Sequence, residues 1–323
     1  MTGDASKEKV AIIGAGIIGL YLAWRLRQKG YSVVVFEKKS NMGGKPCTAL
    51  ISERIKEYLP ISDRIYQKRV ESVLVHFPKK DIRVKVSPAY LVFKRKVLDN
   101  FVYNLAKQAG AEIIFNKEIR EIPQGFTKVI GCDGALSQIR QLLSLPAPVC
   151  RLGIQYFINK ADGSGESIEV WPQKFACSSK FGFAWKVLKK GKIEYGIIGP
   201  DKEAKKRFDA FLNKARVDLE EGNFRAAMIP QGLRLPKSDN ITLLGDSAGM
   251  TKPTTGGGII WGFKAGDILA DCFPDFGKYR RKAKRFFLPK ILKSKIAVSA
   301  SYFLGRYLPF LLPKTISIDP DLF

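Results

Sequence analysis

Three glycines near the start of the chain have the spacing that phosphate-binding turns require. They belong to residues 10–19, VAIIGAGIIG, in which a short apolar strand runs into the pattern G-x-G-x-x-G. Gly14 permits a tight turn, Gly16 lets the backbone approach a pyrophosphate, and Gly19 allows close contact between helix and strand. The helix that follows directs N–H groups and the positive end of its dipole at the phosphates. The segment, with Ala15 in the turn, predicts a dinucleotide site.

An acidic residue follows the second predicted strand at the distance that ribose recognition needs. Residues 32–36 form this strand, and Glu37 comes directly after it, with Lys38 beside it. The Glu37 carboxylate can accept hydrogen bonds from a ribose, and its charge would repel a 2′-phosphate. Strand, turn, helix, strand and acid in this order therefore predict that Glu37 and Lys38 belong to the same dinucleotide site.

Further motifs follow in the chain, and the last of them narrows the prediction. They are Gly43-Gly44, Arg95 with Asp99, the pattern G-x-D-G-x-x-S-x-x-R at residues 131–140 with its Asp133, and Gly245-Asp246 with Pro253 and Gly256-Gly257-Gly258. The glycine turn alone would predict an unspecified dinucleotide. Because a Gly-Asp element lies so far downstream of it, we expect FAD.

In this order the motifs resemble the flavoprotein fold shared by aromatic hydroxylases and geranylgeranyl reductases, over most of residues 9–272. The residue types within three of these motifs resemble most the geranylgeranyl reductase family, and in particular its digeranylgeranylglycerophospholipid reductase-like members. Residues 45–47, KPC, resemble that family's cysteine-containing stretch, and residues 249–259 resemble its G-x-x-x-P-x-T-G-G-G-I element. Residues 181–188 match its Y-x-W-x-F-P motif in part, with Phe183 in place of Tyr and Val187-Leu188 in place of Phe-Pro.

The resemblance implies roles for the distal residues. Asp246 would hydrogen-bond the flavin ribityl chain, although a simple helix N-cap would have the same sequence. The backbone of residues 256–258 would lie flat against the ring and offer N–H groups to its pyrimidine edge. Arg95 would contact phosphate or ribityl, or lie in solvent between two lysines, and Asp133 would belong to a positioning turn. The expected cofactor set is completed by Gly43, Gly44, Pro253, Gly256, Gly257 and Gly258.

Reduction of an isolated double bond needs a hydride from the flavin and a proton from an acid or a water near the ring. Cys47 is the expected catalytic residue because the resemblance implies a cysteine beside the flavin, while a thiol that only packs would look the same. The single histidine, His76, lies in a predicted strand and is more typical of a sheet residue. Phe183 and Trp185 alternate on one strand face, as either the wall of a site for a long apolar substrate or part of the core.

The motif blocks are separated in the chain, so the predicted fold is α/β with a discontinuous domain. A Rossmann-like FAD-binding domain would comprise residues 1–70, 95–148 and 236–275, and an antiparallel-sheet substrate domain would be inserted at 71–94 and 149–235. Residues 276–323 would form a basic amphipathic helical segment. Strands are predicted at 72–77, 82–86, 90–93, 152–158, 167–170, 182–187 and 193–198, and helices at 95–109 and at 202–216, the latter capped by Asp201.

The chain carries a large positive charge. Its 323 residues include 55 Lys and Arg against 30 Asp and Glu, a net charge of +25. The resulting field favours anionic partners, but no platform of stacked aromatic and basic residues is present, so we expect no nucleic-acid binding. Five cysteines without C-x-x-C spacing predict reduced thiols, with no zinc or other metal site.

The basic residues are dense in the C-terminal segment. Residues 278–295 alternate Lys and Arg with Phe, Leu and Ile, whereas 296–312 are more apolar but interrupted by Arg306 and Pro309. We interpret this segment as an element on an anionic membrane surface; the alternatives are a basic helix that covers the substrate domain and a transmembrane span. With no signal-peptide core at the polar N-terminus, we expect a cytoplasmic protein, peripheral on the inner face of the cell membrane.

The predicted function is FAD-dependent reduction of C=C bonds in the geranylgeranyl chains of isoprenoid, archaeal-type membrane lipids or their precursors. No second nucleotide fingerprint is present, so electrons would come from an external donor: ferredoxin, a deazaflavin or NAD(P)H. Two alternatives stay open. One is a flavin monooxygenase of the hydroxylase type, and the other is a prenyl-lipid-binding flavoprotein without catalytic activity.

Overall fold

A computed structural model describes residues 8–159, 166–176, 181–217, 219 and 224–322. The chain divides into two compact units, and each is assembled from separate stretches of sequence. The first unit comprises Met1–Gly44, Arg95–Val149 and Pro230–Ile291, and the second comprises Lys45–Lys94, Cys150–Ile229 and Leu292–Phe323. The predicted α/β class, with a Rossmann-like parallel sheet and an antiparallel sheet, is confirmed.

The regular elements alternate along the chain as the motif order predicts. The strands are β1 (Lys9–Ile13), β2 (Ser32–Phe36), β3 (Leu50–Ser52), β4 (Tyr66–Phe77), β5 (Lys80–Phe93), β6 (Glu112–Ile114), β7 (Lys128–Gly131), β8 (Val149–Asn159), β9 (Ile168–Lys174), β10 (Phe181–Lys189), β11 (Lys192–Gly199), β12 (Phe224–Gln231), β13 (Ile241–Leu243) and β14 (Thr315–Ile318). The helices are α1 (Ile17–Gln28), α2 (Arg95–Gln108), α3 (Gln138–Leu142), α4 (Asp201–Lys214), α5 (Ile259–Cys272) and α6 (Phe276–Tyr307).

The first unit is built on a five-stranded parallel sheet in the order β13-β7-β1-β2-β6. Helix α1 follows β1 and is apolar on nearly every side, which is typical of a helix buried between layers. It packs closely on α5, where a Cβ on Gly262 would lie 2.5 Å from Ile18. Because parallel strands end at one edge, this packing brings the segments after β1, β2, β7 and β13 to the same side of the unit.

The second unit is built on a larger mixed sheet in the order β12-β8-β11-β10-β9-β4-β5-β14, with β3 also paired to β5. Most pairings are antiparallel, as predicted, but β4 pairs with β9 and β14 pairs with β5 in parallel. The two strands predicted at 82–86 and 90–93 are one continuous strand, β5. Strand β14 was not predicted, because its pairing with β5 joins segments more than two hundred residues apart in sequence.

Helix α4 covers one face of the second sheet. Ala204, Phe208 and Leu212 recur at intervals of four residues and are buried against Tyr156 and Ile197 of the sheet. The predicted cap at this helix was wrong: Pro200 is the N-cap, and Asp201 is the first helical residue. Proline fits there because its fixed φ suits the entry to a helix.

The unit boundaries differ from the predicted domain boundaries by more than one residue at three places, the smallest being residues 230–235, which lie in the first unit. Residues 45–70 lie in the second unit, because β3 and β4 both pair with β5. The C-terminal segment is not separate: α6 extends from the first unit into the second, and β14 adds an edge strand to the second sheet. No helix in the described part of the chain has an apolar run long enough to cross a bilayer.

Candidate functional site

The glycine turn after β1 is held by close backbone packing. Gly14 has a φ of +107°, and a Cβ on it would lie 2.6 Å from the carbonyl oxygen of Cys132. A Cβ on Gly19 would overlap the carbonyl oxygen of Gly14, whereas a Cβ on Gly16 would have no atom of the described chain within 4 Å. Gly14 and Gly19 are therefore required by the protein itself, and Gly16 leaves open space in front of the N-terminus of α1.

Glu37 is fixed by two backbone donors. The N–H of Ala15 donates to Oε2 of Glu37 at 2.9 Å, and the N–H of Lys39 donates to Oε1 at 3.0 Å. The carboxylate thus joins the turn after β1 to the loop after β2, where a ribose hydroxyl would find acceptors with free lone pairs. The Lys38 side chain is exposed. The pKa of Glu118 is lowered mainly by its hydrogen bond to Arg120 and to a smaller extent by the charge of Lys38.

A buried carboxylate lies beside the second glycine pair. Gly43 and Gly44 have φ values of +84° and +77°, and a Cβ on Gly43 would lie 3.1 Å from Oδ2 of Asp99. Asp99 accepts a hydrogen bond from Nε of Arg95 at 2.8 Å through Oδ1, while its buried Oδ2 has no hydrogen-bond partner within the described residues. Asp99 was part of the motif that defined the resemblance but was missing from the predicted cofactor set. Its signal was a carboxylate on the otherwise apolar face of α2.

The pattern at residues 131–140 is a structural tie between strands. The buried Arg140 donates to the carbonyl of Ser247 at 2.9 Å and to that of Ala135 at 2.7 Å, so it joins the segments after β7 and β13. Asp133 accepts the N–H of Ile139 at 3.1 Å through Oδ2, and its buried Oδ1 has no hydrogen-bond partner in the described chain. Burial raises the pKa of the Cys132 thiol well above its usual range, so Cys132 packs beneath the glycine turn as a neutral group.

The distal glycine element forms a loop and not an immediate helix. Residues Gly245–Ala248 form a single 3₁₀ turn that ends at Gly249 with a φ of +74°, and α5 begins only at Ile259 after Gly258. The Asp246 carboxylate faces the start of α5, 3.2 Å from the position of a Cβ on Gly258. Asp246 therefore lies at a helix N-terminus as expected, but this terminus belongs to the helix after the glycine run.

A buried lysine accompanies the glycine run and was not predicted. Pro253 is buried, and the backbone of Lys252 exchanges hydrogen bonds with Gly256 and Gly257, which close the loop. The Lys252 side chain is only 5% exposed, and its Cε lies 3.5 Å from the position of a Cβ on Gly257. Lysine is seldom buried, and the residue before Pro253 has no fixed type in the motif, so the sequence pattern could not indicate it.

These features together fit a dinucleotide along the carboxyl edge of the first sheet. The start of α1 presents N–H groups that have no partner within the helix, Glu37 presents fixed acceptors, and Asp99 and Asp133 each hold a buried oxygen without a partner among the described residues. Buried acceptors need donors, and a ribose or ribityl chain carries several hydroxyl donors. The predicted cofactor residues, including Arg95, Asp246 and residues 253 and 256–258, all belong to this one unit.

Cys47, Phe183 and Trp185 belong to the second unit. The Sγ atom of the half-buried Cys47 accepts the N–H of Ala49 at 3.3 Å, where the chain has a φ of +53°. Phe183 and Trp185 do share one face of β10, with ring centroids 5.7 Å apart. A Cβ on Gly196 would overlap the Trp185 indole, so the absence of a side chain there lets the ring lie across β11.

A buried polar cluster, which we call the Glu194 cluster, lies on the same face of the second sheet. The fully buried Glu194 accepts hydrogen bonds from Thr48 at 2.7 Å, Gln155 at 2.6 Å and Trp185 at 3.0 Å. Lys189, also buried, approaches its other carboxylate oxygen at 2.6 Å and donates to the carbonyl of Thr48. The cluster thereby anchors the residue that follows Cys47. Its members come from four segments, and sequence spacing does not bring them together.

His76 is a sheet residue, as its strand position indicated. It stacks on Trp171 with ring centroids 4.7 Å apart and lies between the carboxylates of Asp81 and Glu169, at 2.9 and 3.2 Å. In the residues that the structure describes, no group of three or more His, Cys, Asp or Glu side chains has the geometry to hold a metal ion.

Comparison with known proteins supports the resemblance. Residues 12–49 match the family model of the NAD(P)-binding Rossmann-like domain. The chain is 24% identical to digeranylgeranylglycerophospholipid reductase 1 of Methanosphaera stadtmanae, over 87% of this chain and 79% of that protein. It is 25% identical to kynurenine 3-monooxygenase of Christiangramia forsetii, over 81% of this chain and 72% of that protein.

Solved structures share the fold. A geranylgeranyl bacteriochlorophyll reductase-like protein from Thermoplasma acidophilum superposes with a TM-score of 0.76 at 19% identity, over 90% of this chain and 87% of that chain. CtdE in complex with FAD superposes with a TM-score of 0.65 at 15% identity, over 92% and 94%. The similarity to the geranylgeranyl reductase family and to hydroxylase-type flavoproteins, which the motifs predicted, is confirmed.

Proposed function

We propose that this chain, a relative of the digeranylgeranylglycerophospholipid reductases, is an FAD-dependent oxidoreductase that reduces carbon–carbon double bonds in geranylgeranyl chains of isoprenoid membrane lipids or their precursors. The observation that carries the proposal is the first-unit edge, where an open glycine turn, the fixed Glu37 and the buried oxygen of Asp99 meet the needs of a dinucleotide. The names of the relatives support the reaction and the substrate class.

Different residues of the first unit would bind different parts of FAD. The turn containing Gly14, Ala15 and Gly16 would bind the pyrophosphate, Glu37 the ribose, and Asp99 and Asp246 the hydroxyl groups of the ribityl chain. Arg95 fixes Asp99, and the loop containing Lys252 places a buried positive charge at the glycine run. FAD held in this site would supply the hydride for the double bond, and the buried charge of Lys252 would stabilise the negative charge of the reduced flavin.

The second unit would hold the prenyl substrate and supply the proton. The half-buried Phe183 would line the site for a long apolar chain, with the buried Trp185 packed beside it as part of the core. Cys47 is the proposed catalytic residue, and the hydrogen bond from Ala49 restricts where its sulfur can point. The Glu194 cluster holds Thr48 and thereby positions the neighbouring Cys47.

The proposed partners follow from charge and exposure. The C-terminal half of α6 exposes large apolar side chains among basic residues, which suits peripheral binding to the anionic inner face of a cell membrane. Electrons would arrive from outside the chain, from ferredoxin, a deazaflavin or NAD(P)H. Binding to the membrane surface would let the enzyme reach prenyl chains that lie in the bilayer.

Anaerobic reduction of the bound flavin tests the proposal directly. The purified protein should carry FAD, and light-reduced protein should regain the oxidised flavin spectrum when a geranylgeranyl lipid is added. Mass spectrometry should then find the lipid heavier by two hydrogens for each bond reduced. A protein that is colourless and takes up no FAD when offered it would overturn the assignment.

The similarity to a kynurenine 3-monooxygenase keeps hydroxylation as the second candidate. Oxygen separates the two reactions, because hydroxylation stops without it and prenyl reduction does not. A flavin that stays reduced after the prenyl lipid is added, although the lipid binds, would instead identify a carrier without catalytic activity.

A further inference from the structure

A cavity of about 220 Å³ lies in the second unit, where α6 meets the sheet. We call it the α6 pocket. It is lined by Phe77, Pro78, Pro172, Lys174, Phe181, Tyr302, Phe303, Arg306 and Tyr307. Sites for drug-sized ligands usually enclose about 300–1,000 Å³, so this cavity suits a headgroup and not a whole lipid.

The inner wall of the α6 pocket is aromatic and firmly packed. The Tyr302 hydroxyl donates to the carbonyl of Gly182, and its ring lies 4.6 Å from that of Phe181. A Cβ on Gly305 would overlap the Phe77 ring, so Phe77 packs directly on the helix backbone. The pocket is therefore preformed, which reduces the cost of ordering it around a ligand.

Two cations meet at the mouth of this pocket. Lys174 of β9 and Arg306 of α6 line the pocket together with Tyr307, and both lower the pKa of the Tyr307 hydroxyl, Lys174 more strongly. In the part of the chain that the structure describes, no carboxylate forms an ion pair with Lys174 or Arg306. A phenol between two cations, without a neighbouring acid, marks a place where an anion is favoured.

The surface around the mouth is apolar. Along one side of α6 and just beyond it, the large side chains of Leu292, Ile296, Phe303, Tyr307, Phe310 and Leu311 are each more than half exposed. Residues four apart on a helix share a face, so Leu292 neighbours Ile296 and Phe303 neighbours Tyr307, while the small side chains of Ser299 and Ala300 lie between the two pairs. Monomeric soluble proteins seldom expose such a group of apolar side chains unless it contacts a partner or a membrane.

We propose that the α6 pocket binds the phosphate headgroup of an anionic membrane lipid. Arg306 and Lys174 contact the phosphate oxygens, because a guanidinium offers paired donors and an ammonium a compact charge. The acyl or prenyl chains of the lipid leave the pocket along this group of exposed apolar side chains and stay in the bilayer. This inference rests on the membrane association proposed above and assigns it a specific lipid site.

Vesicle sedimentation with the full chain tests the site. One set of phosphatidylcholine vesicles contains phosphatidylglycerol, and a second set contains oleate at a matched surface potential. The variant Lys174→Gln/Arg306→Gln is compared with Lys293→Gln/Lys295→Gln, which removes the same charge from exposed positions of α6 outside the pocket.

The wild type should prefer phosphatidylglycerol over oleate vesicles by about tenfold, the effect of one charge-assisted hydrogen bond. The control variant should bind both sets more weakly and keep this ratio, whereas the pocket variant should bind both equally. A pocket variant that keeps the wild-type ratio overturns the inference, and so does a wild type without preference.

Soluble competitors distinguish the sources of the phosphate. Monomeric dihexanoylphosphatidylglycerol should release the protein from vesicles, and inorganic phosphate at the same concentration should not. Equal release by inorganic phosphate would identify a free-anion site and overturn the lipid assignment. The lipid assignment would also be overturned if the wild type is a dimer without vesicles and the pocket variant is a monomer, because the pocket would then be an interface between two copies of the chain.

None of these measurements uses flavin turnover. If prenyl reduction is absent while the pocket variant loses its lipid preference, only the proposed reaction is wrong. If reduction occurs and the preference is unchanged in the variant, only the α6 pocket assignment is wrong.

Discussion

The first unit builds its binding turn from backbone, whereas the second unit builds its buried polar cluster from side chains. At the first-unit edge, Gly14 and Gly19 are required because a Cβ would collide with neighbouring backbone, and the donors are peptide N–H groups. In the Glu194 cluster, by contrast, every donor to the carboxylate is a side chain from another segment of the second unit.

This difference determines how each site responds to substitution. A backbone site is set by local conformation, so it fails when one glycine gains a side chain. A side-chain cluster is set by burial, so it fails when one charge loses its partner. A glycine substitution and the removal of a buried charge therefore separate the two modes of failure.

Substitution of Gly19 should have the largest effect. In Gly19→Val the new side chain would overlap the carbonyl oxygen of Gly14, and backbone cannot move aside as a flexible side chain can. We expect destabilisation of at least about 4 kcal/mol and no FAD binding. Urea unfolding and FAD titration measure the two effects.

Gly16→Ala is the matched control for this glycine. Its φ is −69°, and a Cβ would meet open space, so the apoprotein should keep its stability to within about 1 kcal/mol. FAD should nevertheless bind more weakly, because the methyl group occupies the space in front of α1. Equal destabilisation by both substitutions would contradict the distinction between a turn required for packing and a turn open to ligand.

Removal of the Lys189 charge should have the next largest effect. Lys189→Met leaves Glu194 as a buried carboxylate without a cation, which costs about 3–5 kcal/mol. The double variant Lys189→Met/Glu194→Gln should recover a large part of this loss in urea unfolding. Lys192→Met serves as the control, since Lys192 lies directly opposite Lys189 across the hairpin but is exposed. A loss of comparable size at Lys192 would show that burial is not the cause.

These two sites also differ in how far the sequence could predict them. The G-x-G-x-x-G spacing and Glu37 lie within one local unit, so strand, turn, helix and acid could be predicted from neighbouring residues. The Glu194 cluster depends on the register of β8, β10 and β11, which places Glu194 opposite Val187 and Gly196 opposite Trp185. Register over long sequence separations is decided by the whole sheet and is not readable from spacing.

The same reason accounts for the remaining differences. Strand β14 pairs with β5 although most of the sequence separates them. Residues 45–70 belong to the second unit because their strands, β3 and β4, pair with β5. Within the first unit, Asp99 was overlooked although it is a carboxylate on the apolar face of α2, and Lys252 could not be predicted because the loop position before Pro253 has no fixed residue type. The glycine positions were predictable because their requirement is steric and local.

Glu37→Gln should weaken FAD binding without unfolding the protein. The amide loses the charge that accepts two backbone N–H groups, and hydrogen bonds to a charged group contribute about 1.5–3 kcal/mol. We expect FAD affinity to fall by about 10- to 100-fold in titrations of the apoprotein. The exposed Lys38 provides the comparison, because Lys38→Gln should cost at most about 1 kcal/mol. An equal effect at both positions would contradict the role given to the fixed carboxylate.

Lys252→Met should change the flavin more than the fold. Removal of a buried positive charge beside the glycine run disfavours the negatively charged reduced flavin. We expect the reduction potential of bound FAD to fall by about 30 mV, which for two electrons corresponds to about 1.4 kcal/mol. Potentiometric titration against Lys264→Met, on the neighbouring helix α5, checks the effect. An unchanged potential in Lys252→Met would mean that this charge does not reach the flavin.

The smallest effect is expected at Glu53, a second-unit carboxylate that pairs with both Lys56 and Arg69 at 3.0 Å. Hydrogen bonds from Lys56 and then Arg69 lower the pKa of Glu53, so this carboxylate stabilises the fold above its unfolded pKa, and the effect is lost as pH falls through the folded pKa. Glu53→Gln should therefore cost about 0.2–1 kcal/mol at pH 7 and nothing in acid, measured by urea unfolding at both pH values. Glu53 and Glu194 both pair with basic side chains, but the Glu53 pairs are partly in water. An effect at Glu53 as large as that at Lys189 would mean that the number of partners, and not burial, decides the energy of these clusters.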